Sequence, residues 1–223
     1  MFSYVFMKLL EGRPETYDRR VERVAGGHIR AVKEQIANLV HPGDQVLEIG
    51  CGTGELAVMM ARRGAKVTAF DASEQMVRAA RTRMVREKLE DRVTLEPLEV
   101  SGMDRLESAT YDVVVSTLVL SELSPDEQRY AIKHAARVLR AGGHIAFADE
   151  VRPRTTWQRL RYQAVRFPML AVTYLVSRSS TRPLEDLSGQ LSNAGLEVTR
   201  EERSLGDAFA LVVACKPQKG GKR

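Results

Sequence analysis

The segment VLEIGCGTGEL, residues 46–56, constrains this chain more than any other: a run of apolar residues breaks into Gly50, Gly52 and Gly54 within five positions, then resumes as a helical pattern. A buried strand that ends in a glycine turn and feeds a helix is the opening unit of an α/β sheet, and the glycines mark a backbone that something approaches closely. The alternation continues downstream. KVTAFD, RVTLEPL, YDVVVSTLVL and HIAFADE read as strands, the unbroken valines of the third suggesting burial on both faces. Between them fall a helix from residue 55 to 63 ended by Gly64, a helix from residue 74 to about 88 opened by Ser73, and SPDEQRYAIKHAARVLRAGG, opened by Ser124 and closed by its glycines. Such alternation predicts a largely parallel sheet. The last part differs: a helix, PLEDLSGQLSNAG, precedes LEVTREERS and DAFALVVACKP, two strands joined by a short turn at Leu205 and Gly206 and therefore antiparallel. Upstream, residues 16–40 read as one helix leading into the turn HPGD.

A length of 223 residues suits one such domain, here expected over 1–217, with an N-terminal helical segment at 1–42, an insert at 151–184 and a disordered tail at 218–223. No run approaches the roughly 20 apolar residues of a membrane-spanning helix. MFSYVFMKLL is apolar but has no basic leader, is interrupted by Lys8, and is followed by EGRPETYDRR rather than a small-residue cleavage site, so no signal peptide is expected. Cys51, in the glycine turn, and Cys215, in a late apolar run, lack metal-ligand spacing; a reducing cytoplasm and no metal are the expectation. The net charge of +5 is unevenly placed: residues 151–184 hold seven arginines and no acid, and the remainder is nearly balanced.

The glycine turn admits three ligands. A phosphate-cradling loop needs lysine and a hydroxyl after its last glycine, where this chain has Glu55 and Leu56. A dinucleotide site is closer, because Asp71 ends the second strand 21 residues after Gly50, where an acid binds ribose hydroxyls. The spacing, however, is G-x-G-x-G, with Glu48 two residues before it; a carboxylate there repels a pyrophosphate and attracts an ammonium. The ligand should carry a cation.

On these residues the chain resembles the class I S-adenosylmethionine-dependent methyltransferases: VLEIGCGTG is similar to their first motif, VTAFD to the ribose-binding strand, LEPLEV to the adenine-side segment and DVVVSTLVL to the fourth motif. The resemblance implies a doubly wound, seven-stranded, mostly parallel Rossmann-like sheet with an antiparallel last strand, and S-adenosyl-L-methionine across the carboxyl ends of the strands. It implies that Gly50, Cys51, Gly52 and Gly54 let the methionine part approach and that Glu48 orients it. Asp71 would accept the ribose hydroxyls, Ala72 and Met76 would pack the adenine, and Glu99 with Val100 would meet its amine. Ser116 and Thr117 would face the amino group, and Tyr17 would close the site from the helix side. Met76 and Tyr17 equally suit core packing, and Glu99 a solvated loop.

Methyl transfer from a sulfonium needs alignment and exclusion of water more than a dedicated acid or base. Where the acceptor carries a proton, the candidate bases are His28, His41, Glu122, Asp149 and Glu150. The insert sits where this family commonly places substrate-recognition additions. Its FPMLAVTYLV centre, flanked by arginines, suits a helical lid over an apolar pocket, a peripheral membrane contact or an acidic-protein contact; nucleic acid is disfavoured, because no RNA-binding motif accompanies the arginines. The stretches SYVFMKLLEGRPETYDRR and TYLVSRSSTRPLEDL are similar to methyltransferases associated with corrinoid proteins, which implies a corrinoid protein as partner. The first acceptor class expected is a hydrophobic or anionic small molecule, quinone-like or lipid-like. A non-catalytic methyltransferase-like interaction module and a nicotinamide oxidoreductase are the rival readings.

Overall fold

The strands are β1 (Gln45–Ile49), β2 (Lys66–Asp71), β3 (Val93–Pro97), β4 (Tyr111–Thr117), β5 (Leu139–Glu150), β6 (Glu197–Ser204) and β7 (Phe209–Cys215), in a computed structural model that describes residues 27–155, 157–158 and 183–218. They form one sheet in the order β3-β2-β1-β4-β5-β7-β6. β1 pairs in parallel with β2 and β4, β2 with β3, and β4 with β5, whereas β7 runs antiparallel to both β5 and β6. This is the expected seven-stranded α/β sheet with its last strand reversed.

Helices α1 (His28–Ala37), α2 (Glu55–Arg62) and α3 (Glu74–Glu87) cover one face, and α4 (Pro125–Val138) and α5 (Leu187–Asn193) the other. The central strands are buried on both sides: Val113 and Val115 of β4 enter one hydrophobic cluster, and Val114 between them enters the other. The caps work locally. Ser73 Oγ accepts from the Met76 amide to open α3, and Ser124 and Glu127 form a reciprocal capping box at α4, with Pro125 at the first helical position.

Three sequence expectations are corrected. Gly27 has φ +82°, so a helix cannot run unbroken from residue 16 to 40; among the described residues it starts at His28. α4 ends at Val138 rather than at the glycines, because Lys216 Nζ, reaching from beyond β7, donates to the Ala136 and Leu139 carbonyls and β5 begins at once. Gly143 instead serves a close strand approach, since a Cβ there would lie 2.7 Å from the Asp112 carbonyl oxygen. β4 stops at Thr117 because Leu118 turns left-handed, at φ +61°. Tyr17, the arginine insert from 159 to 182, most of the corrinoid-like stretches and the final residues 219–223 lie outside the described residues.

The two ends of the insert meet. Val151 and Leu184 form a parallel bridge, the Arg152 amide donates to the Leu184 carbonyl at 2.8 Å, and Arg152 pairs with Glu185 at 3.1 Å. Arg154 reaches Glu201 of β6 at 2.6 Å. Among the described residues no helix is long and apolar enough to cross a membrane.

The capping box supplies a direct test of helix signalling. Ser124→Ala should lower unfolding free energy by about 1 kcal/mol, read from urea melts, since it removes an acceptor from the first turn of α4.

Candidate active site

A cavity of about 490 Å³ opens across the carboxyl ends of β1, β2 and β4. This is where an open α/β sheet binds its ligands, because the strand order reverses there and the adjoining loops diverge. Its walls are the glycine turn after β1, the Asp71-Ala72-Ser73 corner before α3, residues 98–101 after β3, and, from the end of β4 onward, Thr117, Leu118, Val119, Glu122 and Leu123.

All three glycines have positive φ, but each has its own reason. At Gly50 a Cβ would stand 2.2 Å from Val119 Cγ2, so it is a protein side chain that presses on this backbone. At Gly54 it would meet Met84 Cε at 2.8 Å and Ala80 Cβ at 3.1 Å, which makes Gly54 a contact between α2 and α3, away from the cavity lining. Gly52 alone of the three has nothing within 4 Å, and it lines the cavity. The single reason read from the sequence, ligand approach, therefore has this open space only at Gly52.

Asp71 has a duty that its spacing did not reveal. One carboxylate oxygen accepts the Gly52 amide at 2.8 Å and the other the Ser73 amide at 2.9 Å, tying the glycine turn to the start of α3. The carboxylate lies on the cavity wall.

Glu48 alternates with Leu47 and Ile49 along β1, so it faces the α1 side of the sheet. It is 3% exposed, and its Oε2 is buried without a hydrogen-bond partner among the described residues. Burial pushes its carboxyl up to about 8; Lys33 opposes this, while Asp71 and Glu55 add to it. Lys33 is itself held by Glu55 at 2.8 Å. A buried acid short of a donor is an unpaid cost that a cation would offset.

Thr117 lines the cavity, and its Oγ1 is likewise buried without a partner. Ser116 is placed differently: its hydroxyl donates to the Ile49 carbonyl at 3.2 Å and does not reach the cavity. Met76 is buried, belongs to neither hydrophobic cluster and lines the cavity with Ala72. Glu99 and Val100 line it too, with Glu99 exposed and accepting the Ser101 hydroxyl at 3.3 Å. Cys51 is buried beside the turn, its thiol pushed up by burial and by Glu48, which makes it an inert small residue.

Of the five candidate bases, the structure brings Glu122 alone to the cavity wall. His41 is exposed in the turn that precedes β1, at the opposite end of the sheet. His28 opens α1, with Nε2 2.9 Å from Ser204 Oγ and its ring edge-on to Phe209. Glu150 is buried and pairs across the sheet with that same Phe209. Asp149 is buried on the α4 side and accepts the Ser121 amide at 3.2 Å. Asp149 and His28 are therefore placed as structural partners, and sequence spacing had no means of separating them from Glu122.

The Glu48 carboxyl is raised in the folded chain from 4.5 to about 8, so the fold binds a proton there that the unfolded chain has lost; its contribution to stability falls as pH rises through that window. Glu48→Gln should melt close to the parent at pH 5 and above it at pH 8, measured by calorimetry in the absence of ligand.

Comparison with known proteins agrees with this geometry. Residues 46–143 match a family model described as a methyltransferase domain. The 27-O-demethylrifamycin SV methyltransferase of Amycolatopsis mediterranei is 34% identical over 157 residues, 70% of this chain and 54% of that protein. A ubiquinone biosynthesis O-methyltransferase of Psychrobacter cryohalolentis is 31% identical over 146 residues, 66% of this chain and 56% of that one. The chain thus spans about half the length of these curated relatives. The solved structure of an O-methyltransferase family protein from Burkholderia thailandensis superposes with a TM-score of 0.71 at 20% identity, over 93% of this chain and 60% of that one, and shares the fold. An uncharacterized methyltransferase of a Geobacillus strain is 33% identical over 159 residues, covering 69% of this chain and 72% of its own length. With that coverage, and with the glycine turn and Asp71 inside the matched segment, the chain belongs to the methyltransferase-domain family.

Proposed function

We propose that the protein is an S-adenosylmethionine-dependent O-methyltransferase whose acceptor is a hydroxyl on an apolar, ring-bearing small molecule of quinone-like type. The observation that carries the cofactor is the partnerless buried oxygen of Glu48 behind a turn whose Gly52 is open to the cavity. An ammonium is the donor such an acid lacks, and an amino-acid sulfonium brings one. Asp71 would hold the ribose hydroxyls, Ala72 and Met76 the adenine ring, Glu99 and Val100 its amine edge, and Thr117 the amino end. The cofactor, when bound, supplies an activated methyl group that leaves sulfur in an in-line displacement.

The chain's own contribution is placement and charge. Asp71, Glu99, Glu122 and Glu127 line the cavity, and among the described lining residues there is no lysine, arginine or histidine. That field favours a cationic ligand and disfavours an anionic acceptor, so of the two acceptor classes expected from the sequence the hydrophobic one is favoured. Leu118, Val119 and Leu123 offer apolar wall beside Glu122, which suits an aromatic ring whose hydroxyl proton passes to the Glu122 carboxylate as oxygen takes the methyl group. The two O-methyltransferase relatives support oxygen as the receiving atom, and the ubiquinone one supports the quinone-like class.

Calorimetric titration with S-adenosylhomocysteine and, separately, NAD tests the cofactor. Micromolar binding of the first and none of the second is expected; NAD binding alone would place the chain with the oxidoreductases. A panel of catechols and prenylated phenols, read by mass for the gain of one methyl group, tests the acceptor.

Asp71→Ala should weaken S-adenosylhomocysteine by about 2 kcal/mol or more, since it removes a charged hydrogen-bond acceptor and also frees the Gly52 amide. Unchanged affinity in the folded variant would take Asp71 out of the site.

A further inference from the structure

We infer that Asp149 is a positioning residue: from beneath the cavity it holds the strained wall of residues 118–123 that shapes the cofactor and acceptor spaces. The inference rests on the reading of this cavity as the S-adenosylmethionine site.

The wall is held under constraint. Leu118 adopts φ +61°, a conformation a branched residue keeps only when its surroundings enforce it. Its amide donates to the Ala148 carbonyl at 2.9 Å, fastening the turn to β5 as β4 ends. Val119 then lies over Gly50, close enough that no Cβ fits between them, so the position of this loop fixes the floor of the cavity as well as its side. The short helical turn Leu120–Glu122 follows and carries Glu122 to the cavity. On its far side Gln128 Nε2 donates to the Leu120 carbonyl at 2.9 Å and to the Leu123 carbonyl at 3.2 Å.

Asp149 closes this set of ties. It is 1% exposed and follows Phe147 on the α4 face of β5, outside the cavity lining. One oxygen accepts the Ser121 amide at 3.2 Å, the other accepts the Glu150 amide at 2.7 Å, and the Ser121 hydroxyl also bonds to it. Ser121 is 3% exposed, so water is not at hand to replace the carboxylate. Outside the cavity lining, Asp149 does not reach an acceptor molecule; it accepts from a loop whose next residue, Glu122, lines the cavity, and it sets where that neighbour stands. Burial raises its carboxyl to about 7, and the bonds from Ser121 and from the Glu150 amide pull against that rise.

Asp149→Asn keeps the shape but turns an amide toward the Ser121 amide or removes one acceptor. Hydrogen exchange followed by mass spectrometry on the full chain should show faster exchange in the peptide spanning residues 118–123. S-adenosylhomocysteine affinity should fall about tenfold, as expected for a charge-assisted bond lost at one remove from the ligand. Ser121→Ala, which removes only the hydroxyl, should shift both readings in the same direction by a smaller factor, and it stands in if the first variant does not fold. With any acceptor the parent turns over, KM for S-adenosylmethionine should rise and kcat should fall with it, because the loop that borders the cofactor space also carries Glu122. Parent-like exchange and affinity in both variants would overturn the inference, as would a collapse of kcat with KM unchanged, the mark of a base. Failure of the parent itself to bind S-adenosylhomocysteine would instead overturn the cofactor reading on which this one rests.

Discussion

The site depends on one carboxylate. Asp71 takes the amide of Gly52 with one oxygen and that of Ser73 with the other, and so joins the end of β2 to the turn after β1 and to the first turn of α3. Each of these is a hydrogen bond to a charged group, worth about 1.5–3 kcal/mol in a typical protein. They add to the Phe70 carbonyl, which takes the Gly50 and Cys51 amides at 2.9 Å, and to the Gly54 amide bonded to the Cys51 carbonyl at 2.9 Å, in fixing a turn with three left-handed residues in five. The acid that the family pattern assigns to a ribose is thus first a structural tie, and pre-organisation of the turn comes before any ligand arrives.

Glu48 and Asp149 show the other side of such a site. Both are buried acids with raised carboxyls, and both lower the stability of the ligand-free fold as pH rises toward 8 and 7 respectively. At Glu48 a neutral residue of similar size would fold more stably above pH 5, whereas at Asp149 an apolar one would strand the buried Ser121 amide. Both sit next to the carboxyl ends of their strands, outside the cavity lining: Glu48 behind the glycine turn, Asp149 against the loop after β4.

Much of this was legible in the chain. Strand and helix order followed from apolar periodicity, and the starts of α3 and α4 from Ser73 and Ser124, because these signals are local and the structure uses them locally. The end of α4 was not legible, since it is set by Lys216, 78 residues beyond Val138, and because Gly143 answers to a neighbouring strand rather than to the helix. The glycine turn was read correctly as special but with one cause for three residues; Val119 over Gly50 and Met84 beside Gly54 are contacts that spacing does not encode. Sorting Glu122 from Asp149 likewise needed the face of β5 on which each neighbour lies, and the turn at Leu118 that no propensity announces.

The bridge between Val151 and Leu184 bears on how this scaffold changes over time. Val151 and Leu184 are joined directly, and Arg152 with Glu185 and Arg154 with Glu201 reinforce the junction, so the ends are held together whatever the number of residues between them. Closing a loop costs only about 0.6 kcal/mol more for each doubling of its length, so this segment can be exchanged, extended or shortened at little expense to the sheet. A frame closed at such a bridge lets the sequence between its two ends vary while the glycine turn and Asp71 stay as they are.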